Sequence, residues 1–427
     1  MSLKCFEDME SRGFFYQLTD NDQIKKKLNN EQVSFYVGFD PTADSLHIGH
    51  LLPVMAARRL QQSGHKPIML VGGATGLVGD PSGKQEARPI LTKETVADNA
   101  SAIKVQLSKF IDFDNENALF VNNADWLCDI LYIDLLREIG PHFSVNRMLT
   151  MDSVKQRMET GISFLEFNYM ILQSYDFLHL YKNFNCTLEI GGQDQWGNIV
   201  SGVELVRRIT GQSVFGSTFP LLTDSSGKKF GKTAGGAVWL DPKRTPIFDY
   251  YQFWRNSEDS DVEKLLFMFT SLPTEEVQIL GSLQAPEINR AKEILAYETT
   301  VLAHGEEVAK KAYLAAGTKF GFADPDNKIQ TSSKITNIKS SDGTSDLPTY
   351  SVEKNIIENG LWIVTLLSDS ELCKSNSDAR RLIKGGGGYI NGERITDMNL
   401  NINIDSFING EIILKAGKKK IKRIIIK

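Results

Sequence analysis

Apolar and polar residues alternate over residues 33–39, which is the two-residue period of a half-buried β-strand. Pro41 ends this alternation, and apolar residues then recur at helical spacing over 47–60. The apolar run at 67–71 predicts a second, buried strand. A strand, a helix and a strand in this order predict one unit of a parallel sheet, whose ligand crevice lies at the carboxyl ends of the strands.

The same two periods predict the remaining elements. In the first half of the chain they indicate a strand over 186–190, a turn at Gly191-Gly192, and helices over 92–110, 132–140, 164–180 and 195–209. The pattern from 245 to 320 is helical throughout. Residues 321–349 are rich in Ser, Thr, Asn, Asp, Lys and Gly, which predicts a linker. A small terminal module follows, with a helix over 376–383 and a hairpin over 389–394.

Composition narrows the class of protein. A chain of 427 residues, with 41% hydrophobic and 24% charged residues, predicts a soluble globular protein of about two to three domains. No apolar run is long enough to span a bilayer, and no secretory or transit signal is visible. Four scattered cysteines without Cys-x-x-Cys spacing argue against a zinc site or a disulfide framework, and they favour a reducing cytoplasm.

The net charge of −5 is unevenly distributed along the chain. From Ser351 onward there are 13 Lys and Arg against 9 Asp and Glu, so this part carries about +4 and the remainder about −9. A positive terminal module indicates an anionic partner such as a nucleic acid.

The segment from Tyr36 to His50 joins the first predicted strand to the first helix, and it reads Tyr-Val-Gly-Phe-Asp-Pro-Thr-Ala-Asp-Ser-Leu-His-Ile-Gly-His. A helix N-terminus offers unpaired N–H groups and a partial positive charge, which suit a phosphate. His47 and His50 lie three residues apart and can face one ligand, while Gly49 lets a flat base or ribose approach the backbone. Two such histidines in isolation are most often polar surface. The full string, however, resembles the signature of class I aminoacyl-tRNA synthetases in the form found in their tyrosyl branch.

A second motif, Lys229-Phe230-Gly231-Lys232-Thr233, tests this resemblance. Two lysines around a glycine are in isolation most often a solvated turn. When a carboxylate attacks the α-phosphate of ATP, however, negative charge builds on the departing pyrophosphate, and ammonium groups that meet this charge raise the rate. The motif is similar to the second class I signature, and the resemblance extends from about Phe15 to the C-terminus.

The resemblance implies a binding site for L-tyrosine. Tyr36 and Asp176 match the pair that holds the substrate phenol, and Gln195 matches a residue near the substrate carboxylate. Asp80, Tyr169 and Gln173 match the groups around the substrate ammonium. Tyr169, Gln173 and Asp176 share one helix face by periodicity, which without the other motifs is the pattern of an ordinary polar face. A buried Asp there would be costly unless paired, and a phenol is a suitable partner.

The resemblance also implies an ATP site. Adenosine would contact Gly38, Asp40, Gly192 and Leu222, and its ribose would contact Asp194 and His50. Thr42 and His47 match the pair that contacts the γ-phosphate in the transition state. The mobile groups around pyrophosphate would be Lys84, Arg88, Lys229, Lys232 and Thr233. Mg²⁺ would accompany the ATP, and no protein-bound metal is expected. Val37 and Pro53 depart from the commonest pattern of the family, and we expect these departures to shift ATP affinity modestly without removing activity.

The terminal module resembles a small RNA-binding domain shared with a ribosomal small-subunit protein, on residues 375–384 and 388–392. Arg380, Arg381 and Lys384 share a helix face, and a basic tail over 418–423 follows. Basic tails are often only solubilising, but together with the helix and the hairpin they favour phosphate contact with RNA. Arg207 and Arg208 are candidates for contact with the tRNA acceptor stem, or an ordinary cationic helix end.

The prediction that follows is an α/β protein with a Rossmann-like parallel-sheet catalytic domain at 1–244, an α-helical domain at 245–320, a linker at 321–349 and a small α+β RNA-binding domain at 350–427. Its expected activity is that of a tyrosine–tRNA ligase, which activates L-tyrosine with ATP and transfers the tyrosyl group to the 3′ end of tRNA(Tyr). The resemblance implies a homodimer with residues 134–148 near the interface. We expect a cytoplasmic location and no DNA or membrane partner.

Two alternatives stay open at this point. The first is another class I enzyme such as the tryptophanyl one. The pairing of Asp176 with Tyr36 argues against it. The second is an RNA-binding protein that uses the same scaffold without aminoacylation. The intact motif residues argue against it, and they are His47, His50, Lys229 and Lys232.

Overall fold

A six-stranded sheet organises the first half of the chain. The structure, a computed structural model, describes residues 4–82, 91–223, 230–233, 236–338, 349–358, 360–408, 410–417 and 420–427. The strands of the sheet are β1 (Gln17–Leu18), β2 (Ser34–Phe39), β3 (Lys66–Val71), β4 (Leu119–Asn122), β5 (Leu188–Gly192) and β6 (Phe215–Phe219). Their order is β1-β6-β5-β2-β3-β4, and every pair is parallel except β1 with β6. The predicted parallel sheet is therefore confirmed.

Helices cover both faces of this sheet. They are α1 (Cys5–Ser11), α2 (Asn21–Asn30), α3 (Ile48–Gln62), α4 (Thr75–Val78), α5 (Lys93–Leu107), α6 (Ala124–Leu127), α7 (Tyr132–Glu138), α8 (Val145–Met148), α9 (Asp152–Met158), α10 (Phe164–Phe167), α11 (Tyr169–Phe184) and α12 (Trp196–Thr210). Helices α3 and α5 contribute to the core on one face, and α11 and α12 to the core on the other. Parallel strands covered in this way are buried on both sides.

Three local predictions need correction. Strand β2 is not half-buried, because it lies in the middle of the sheet and its Tyr36 and Val37 side chains, on opposite faces, are both 2% exposed. The predicted turn at Gly191-Gly192 belongs to β5, since both residues pair with β6. The helix predicted over 164–180 is broken at Asn168 into α10 and α11.

The second half of the chain begins with a short hairpin, β7 (Lys232–Thr233) with β8 (Gly236–Ala237). The helical region that follows is confirmed, with α13 (Ile247–Arg255), α14 (Val262–Phe269), α15 (Thr274–Ser282), α16 (Ile288–His304) and α17 (Glu306–Phe320). Its apolar side chains merge with those beneath α3 into one core.

The segment from 321 to 338 is packed against these helices, which corrects the linker predicted over 321–349 for its first part. Ile335 is fully buried in the core, and the Ser333 hydroxyl donates to Glu298 at 2.5 Å. The buried Arg290 of α16 donates to Asn327 Oδ1 at 2.7 Å. A few isoleucines and charge-assisted hydrogen bonds thus anchor a segment whose composition is otherwise that of a loop. Residues 339–348 lie outside the described ranges.

The terminal module forms its own core around a mixed sheet. Its elements are β9 (Thr349–Val352), α18 (Lys354–Glu358), β10 (Leu361–Trp362), α19 (Ile363–Asp369), α20 (Asn376–Lys384), β11 (Gly388–Ile390), β12 (Glu393–Arg394), β13 (Asn401–Ile402), β14 (Glu411–Ala416) and β15 (Lys420–Ile426). The predicted helix and hairpin are confirmed as α20 and the β11–β12 pair. Among the described residues, no helix is both long and apolar enough to cross a membrane.

Candidate active site

A cavity of about 380 Å³ opens where β2 and β5 end at their carboxyl sides. In the sheet, β3 lies on one side of β2, and β5 and β6 lie on the other side. The strand order therefore reverses between β2 and β5. Ligands of open parallel sheets bind at this position.

The cavity collects the predicted tyrosine and nucleotide residues from distant parts of the chain. Those that line it are Tyr36, Gly38, Asp40, Thr42, His47, His50, Asp80, Tyr169, Gln173, Asp176, Gly192, Asp194, Gln195 and Leu222. Lys84, Arg88 and Lys229 lie outside the described residues, and only the backbone of Lys232 and Thr233 is described.

The first helical turn of α3 forms one wall of the cavity. His47 is the N-cap residue, and its backbone N–H donates to His50 Nδ1 at 3.3 Å. The two imidazole rings stack, with centroids 3.8 Å apart and an angle of 15° between their planes. Trp239 meets His47 edge-on at 5.7 Å. Both imidazoles are thereby held at the positive end of a helix, where an anionic group is favoured.

The two sequence motifs meet at this helix start. Ile48 N–H donates to the carbonyl of Val238 at 2.9 Å, and Val238 N–H donates to the carbonyl of Gly231 at 3.1 Å. Gly231 has φ +86°, and a Cβ placed there would lie 3.3 Å from Ile48 Cβ and 3.5 Å from Gly49 N. The backbone of the second motif therefore lies directly against the first turn of α3, in a conformation that only glycine adopts without strain.

Asp176 lies at the buried end of the cavity and is 2% exposed. It accepts hydrogen bonds from Asn123 Nδ2 at 2.9 Å and from Trp126 Nε1 at 2.8 Å. Burial raises the pKa of Asp176, and these two donors oppose the rise. Sequence reasoning missed Asn123 and Trp126, although Asn122-Asn123 at the carboxyl end of β4 was a visible signal.

The other polar groups of the cavity bond to one another. Asp80 Oδ2 accepts from Gln195 Nε2 at 2.6 Å, and the Tyr169 hydroxyl donates to Asp40 Oδ2 at 2.8 Å. Gln173 accepts from Asn198, and its own Nε2 donates to Glu189 Oε1 at 2.9 Å.

Glu189 is a further residue of the cavity that sequence reasoning missed. It is 2% exposed, and burial raises its pKa. Its position in β5, an apolar strand, was the only sequence signal, since a carboxyl group inside a sheet core requires a partner.

The candidate RNA-contacting cations lie away from the cavity. Arg207 and Arg208, at the end of α12, pair with Glu204 at 2.8 and 2.6 Å, and the hydrogen bond from Arg207 is the main reason why the pKa of Glu204 falls to about 2. In the terminal module Arg380 lies 4.9 Å from the centre of the Trp362 ring. Arg381 and Lys384 are exposed on the same helix, α20.

Comparisons with known proteins agree with this geometry. The family model described as tRNA synthetases class I (W and Y) matches residues 28–321, and the model described as the tyrosine–tRNA ligase SYY-like C-terminal domain matches residues 339–424. The chain is 49% identical over 421 residues to a tyrosine–tRNA ligase of Clostridium botulinum, with 99% of each chain covered. It is 48% identical over 422 residues to that of Clostridium kluyveri, again with 99% of each covered. Among solved structures, a C-terminally truncated mitochondrial tyrosyl-tRNA synthetase of Aspergillus nidulans superposes with a TM-score of 0.66 at 32% identity, covering 74% of this chain and 93% of that one.

Proposed function

We propose roles for the residues of the cavity from one premise: the chain belongs to the class I tRNA synthetases and is a tyrosine–tRNA ligase. The reaction has two steps. The tyrosine carboxylate attacks the α-phosphorus of ATP, and the bond to the β,γ-phosphates breaks to release pyrophosphate and leave tyrosyl-adenylate. A ribose hydroxyl at the 3′ end of tRNA then attacks the activated carbonyl, which gives tyrosyl-tRNA and AMP. An ionised carboxylate needs no general base, so catalysis comes from positioning and charge stabilisation.

The tyrosine phenol is held by Asp176 as acceptor and Tyr36 as donor. One observation supports this assignment above all: a carboxyl group buried to 2% exposure at the end of the cavity, with both oxygens oriented by N–H donors. A substrate without the hydroxyl would leave this buried pair unsatisfied. Such sites reject the analogue by about 10⁵-fold, a magnitude known from tyrosyl enzymes themselves.

The amino-acid end of the substrate binds nearer the cavity mouth. The ammonium group is met by Asp80, with oriented oxygens from Tyr169 and Gln173, and the carboxylate lies near Gln195. Asp80 and Gln195 bond to each other, and Tyr169 bonds to Asp40. The arriving ammonium and carboxylate therefore exchange hydrogen bonds with groups that are already held in place.

ATP binds along the first turn of α3. Gly38, Asp40, Gly192 and Leu222 contact adenosine, and Asp194 and His50 its ribose. Thr42 and His47 meet the γ-phosphate in the transition state. The contact of Gly231 with Ile48 supports this arrangement, because it brings the lysine-bearing loop to the same helix end. Lys84, Arg88, Lys229, Lys232 and Thr233 then surround pyrophosphate, and Mg²⁺ enters as part of the ATP substrate.

The functional unit is a homodimer. Exposed apolar side chains cluster within and beside the predicted interface 134–148, and they are Leu131, Tyr132, Ile133, Leu136, Val145 and Leu149. Exposed apolar clusters of this kind are typical of protein–protein interfaces. We assign the catalytic role to residues 1–244, anticodon-side contacts to 245–320 and RNA binding to 350–427, in a cytoplasmic enzyme.

The tRNA contacts are assigned to two sets of cations. Arg380, Arg381 and Lys384 are exposed on α20 and meet phosphates, while Arg207 and Arg208 approach the acceptor stem. Phosphate contacts of this type position the RNA rather than read its sequence.

ATP–pyrophosphate exchange tests the assignment of the phenol site. Purified protein is assayed with tyrosine, phenylalanine and tryptophan, alongside Asp176→Ala and the control Asp22→Ala, which changes an exposed Asp on α2. We expect exchange with tyrosine only, lost in Asp176→Ala and kept in the control. Full tyrosine exchange by Asp176→Ala would remove Asp176 from the phenol site.

A further inference from the structure

Glu189 lies beside Tyr36 inside the sheet. The two residues are direct partners across the parallel strands β2 and β5, so their side chains point to the same face. Both are 2% exposed. Neither step of the reaction uses the carboxyl group of Glu189.

The two oxygens of Glu189 have different surroundings. Oε1 accepts from Gln173 Nε2 at 2.9 Å. Oε2 and the Tyr36 hydroxyl are both buried, and neither has a hydrogen-bond partner among the described residues. The two side chains are close enough that, after burial, the charge of Glu189 is the next cause of the raised pKa of Tyr36. The backbone of α12 closes over this carboxyl group, because a Cβ placed on Gly202 would lie 3.4 Å from Oε2.

Two carboxyl groups, Glu189 and Asp176, are buried in this one pocket. Burial raises the pKa of both, and the charge of Glu189 raises that of Asp176 further. Two like charges so enclosed do not ionise together at neutral pH, so the pair retains a proton. Asp176 accepts from two N–H groups and Glu189 from one, and the substrate phenol gives Asp176 a third donor, so with tyrosine bound the charge lies on Asp176 and the proton on Glu189. Among the described residues, the other titratable groups that interact with Glu189 are the Tyr36 phenol and the Cys186 thiol, and burial raises the pKa of each. The charge of Asp40 also contributes to the raised pKa of Asp176.

We propose that Glu189 is a positioning residue for tyrosine selection: its protonated carboxyl group donates a hydrogen bond to the Tyr36 oxygen and leaves the Tyr36 hydrogen for the substrate phenol. The inference rests on the proposed role of Tyr36 as phenol donor. It defines one direction of hydrogen bonding, from Glu189 to Tyr36 to substrate to Asp176. When Glu189 loses its proton, its carboxylate accepts from Tyr36 instead, and the substrate loses its donor.

Tyrosine affinity as a function of pH tests this inference. The dissociation constant is measured by equilibrium dialysis without ATP, at constant ionic strength, from about pH 6 to about pH 9. In the unmodified protein we expect affinity to fall by about tenfold per pH unit above the upper pKa of the carboxyl pair. Ionisation of Asp176 would have the opposite sign, since it strengthens the acceptor for the phenol.

Glu189→Gln is the decisive variant. The amide that it introduces accepts from Gln173 and donates to Tyr36 at every pH, so the slope with pH should disappear. A purely structural role would shift the affinity equally at all pH values. Tyr36→Phe should bind tyrosine more weakly and also lose the slope.

A flat profile in the unmodified protein, or an unchanged slope in Glu189→Gln, would overturn the inference. Neither result would affect the assignment of the phenol site, which depends separately on exchange by Asp176→Ala. If the unmodified protein exchanged equally well with phenylalanine or tryptophan in that assay, the basis of both proposals would be removed.

Discussion

Trp126→Phe removes one N–H group from the tyrosine pocket and little else. Trp126 Nε1 donates to Asp176 Oδ1 at 2.8 Å, and its indole stacks on His179 with ring centroids 4.3 Å apart. Phenylalanine retains an aromatic ring for the stack but cannot donate. A hydrogen bond to a charged group contributes about 1.5–3 kcal/mol, so tyrosine affinity should fall roughly 10- to 150-fold. The pKa of Asp176 should rise further, because one donor that stabilises its charge is gone.

The assay is the dissociation constant for tyrosine near neutral pH, with the ATP dissociation constant measured beside it. Trp362→Phe is the matched control, since the Trp362 Nε1 donates to the Met398 carbonyl at 2.7 Å in the terminal module. We expect the control to bind tyrosine normally, and ATP affinity to change little in either variant. A change in tyrosine affinity below about threefold for Trp126→Phe would refute the role of this donor in orienting Asp176.

Two further predictions concern the motif contact and stability. Gly231→Ala should slow ATP–pyrophosphate exchange about tenfold or more, because a residue with a Cβ at φ +86° is strained by about 1 kcal/mol or more and its Cβ also crowds Ile48. Gly211→Ala is the control, since Gly211 has φ +72° with open space around it. Equal loss of exchange in both variants would contradict the role of the Gly231 contact. His304 is neutral in the fold, since burial and then the charge of Lys109 lower its pKa to about 4. Below about pH 6.5 a histidine in the unfolded chain binds a proton that His304 in the fold does not bind. The unfolded state is therefore favoured, and the melting temperature should fall as the pH drops from about 6.5 to about 4. His304→Gln should make that fall shallower, and an unchanged pH profile would argue that other groups control it.

The local elements were predictable because the periodicity of apolar residues is a property of short stretches of chain. The strand before Pro41, the helix after His47 and the helices from Ile247 to Phe320 all follow from this periodicity. The start of α10 follows from a capping box, in which the Ser163 hydroxyl accepts from Glu166 N–H at 3.2 Å while Glu166 Oε2 accepts in return, but the break at Asn168 has no signal in the apolar periodicity.

The candidate site was predictable as a set of residues but not as a network. Resemblance named Asp176 and Tyr36, yet it did not reveal their neighbours. Asn123 lies 53 positions before Asp176, and Glu189 lies opposite Tyr36 only because β5 pairs with β2. A parallel pairing between strands so far apart is set by crossover helices and not by local sequence.

The sequence by itself determined the α/β class of the first part, the helical region, the basic terminal module and the two motifs that identify the chemistry. These are local or compositional properties, so periodicity, charge and spacing express them directly. Only the tertiary structure decided that Gly231 lies against the first turn of α3, that residues 321–338 pack as part of a core, and that two carboxyl groups share one buried pocket. Each of these depends on contacts between distant segments, whose geometry comes from the packing of the whole chain.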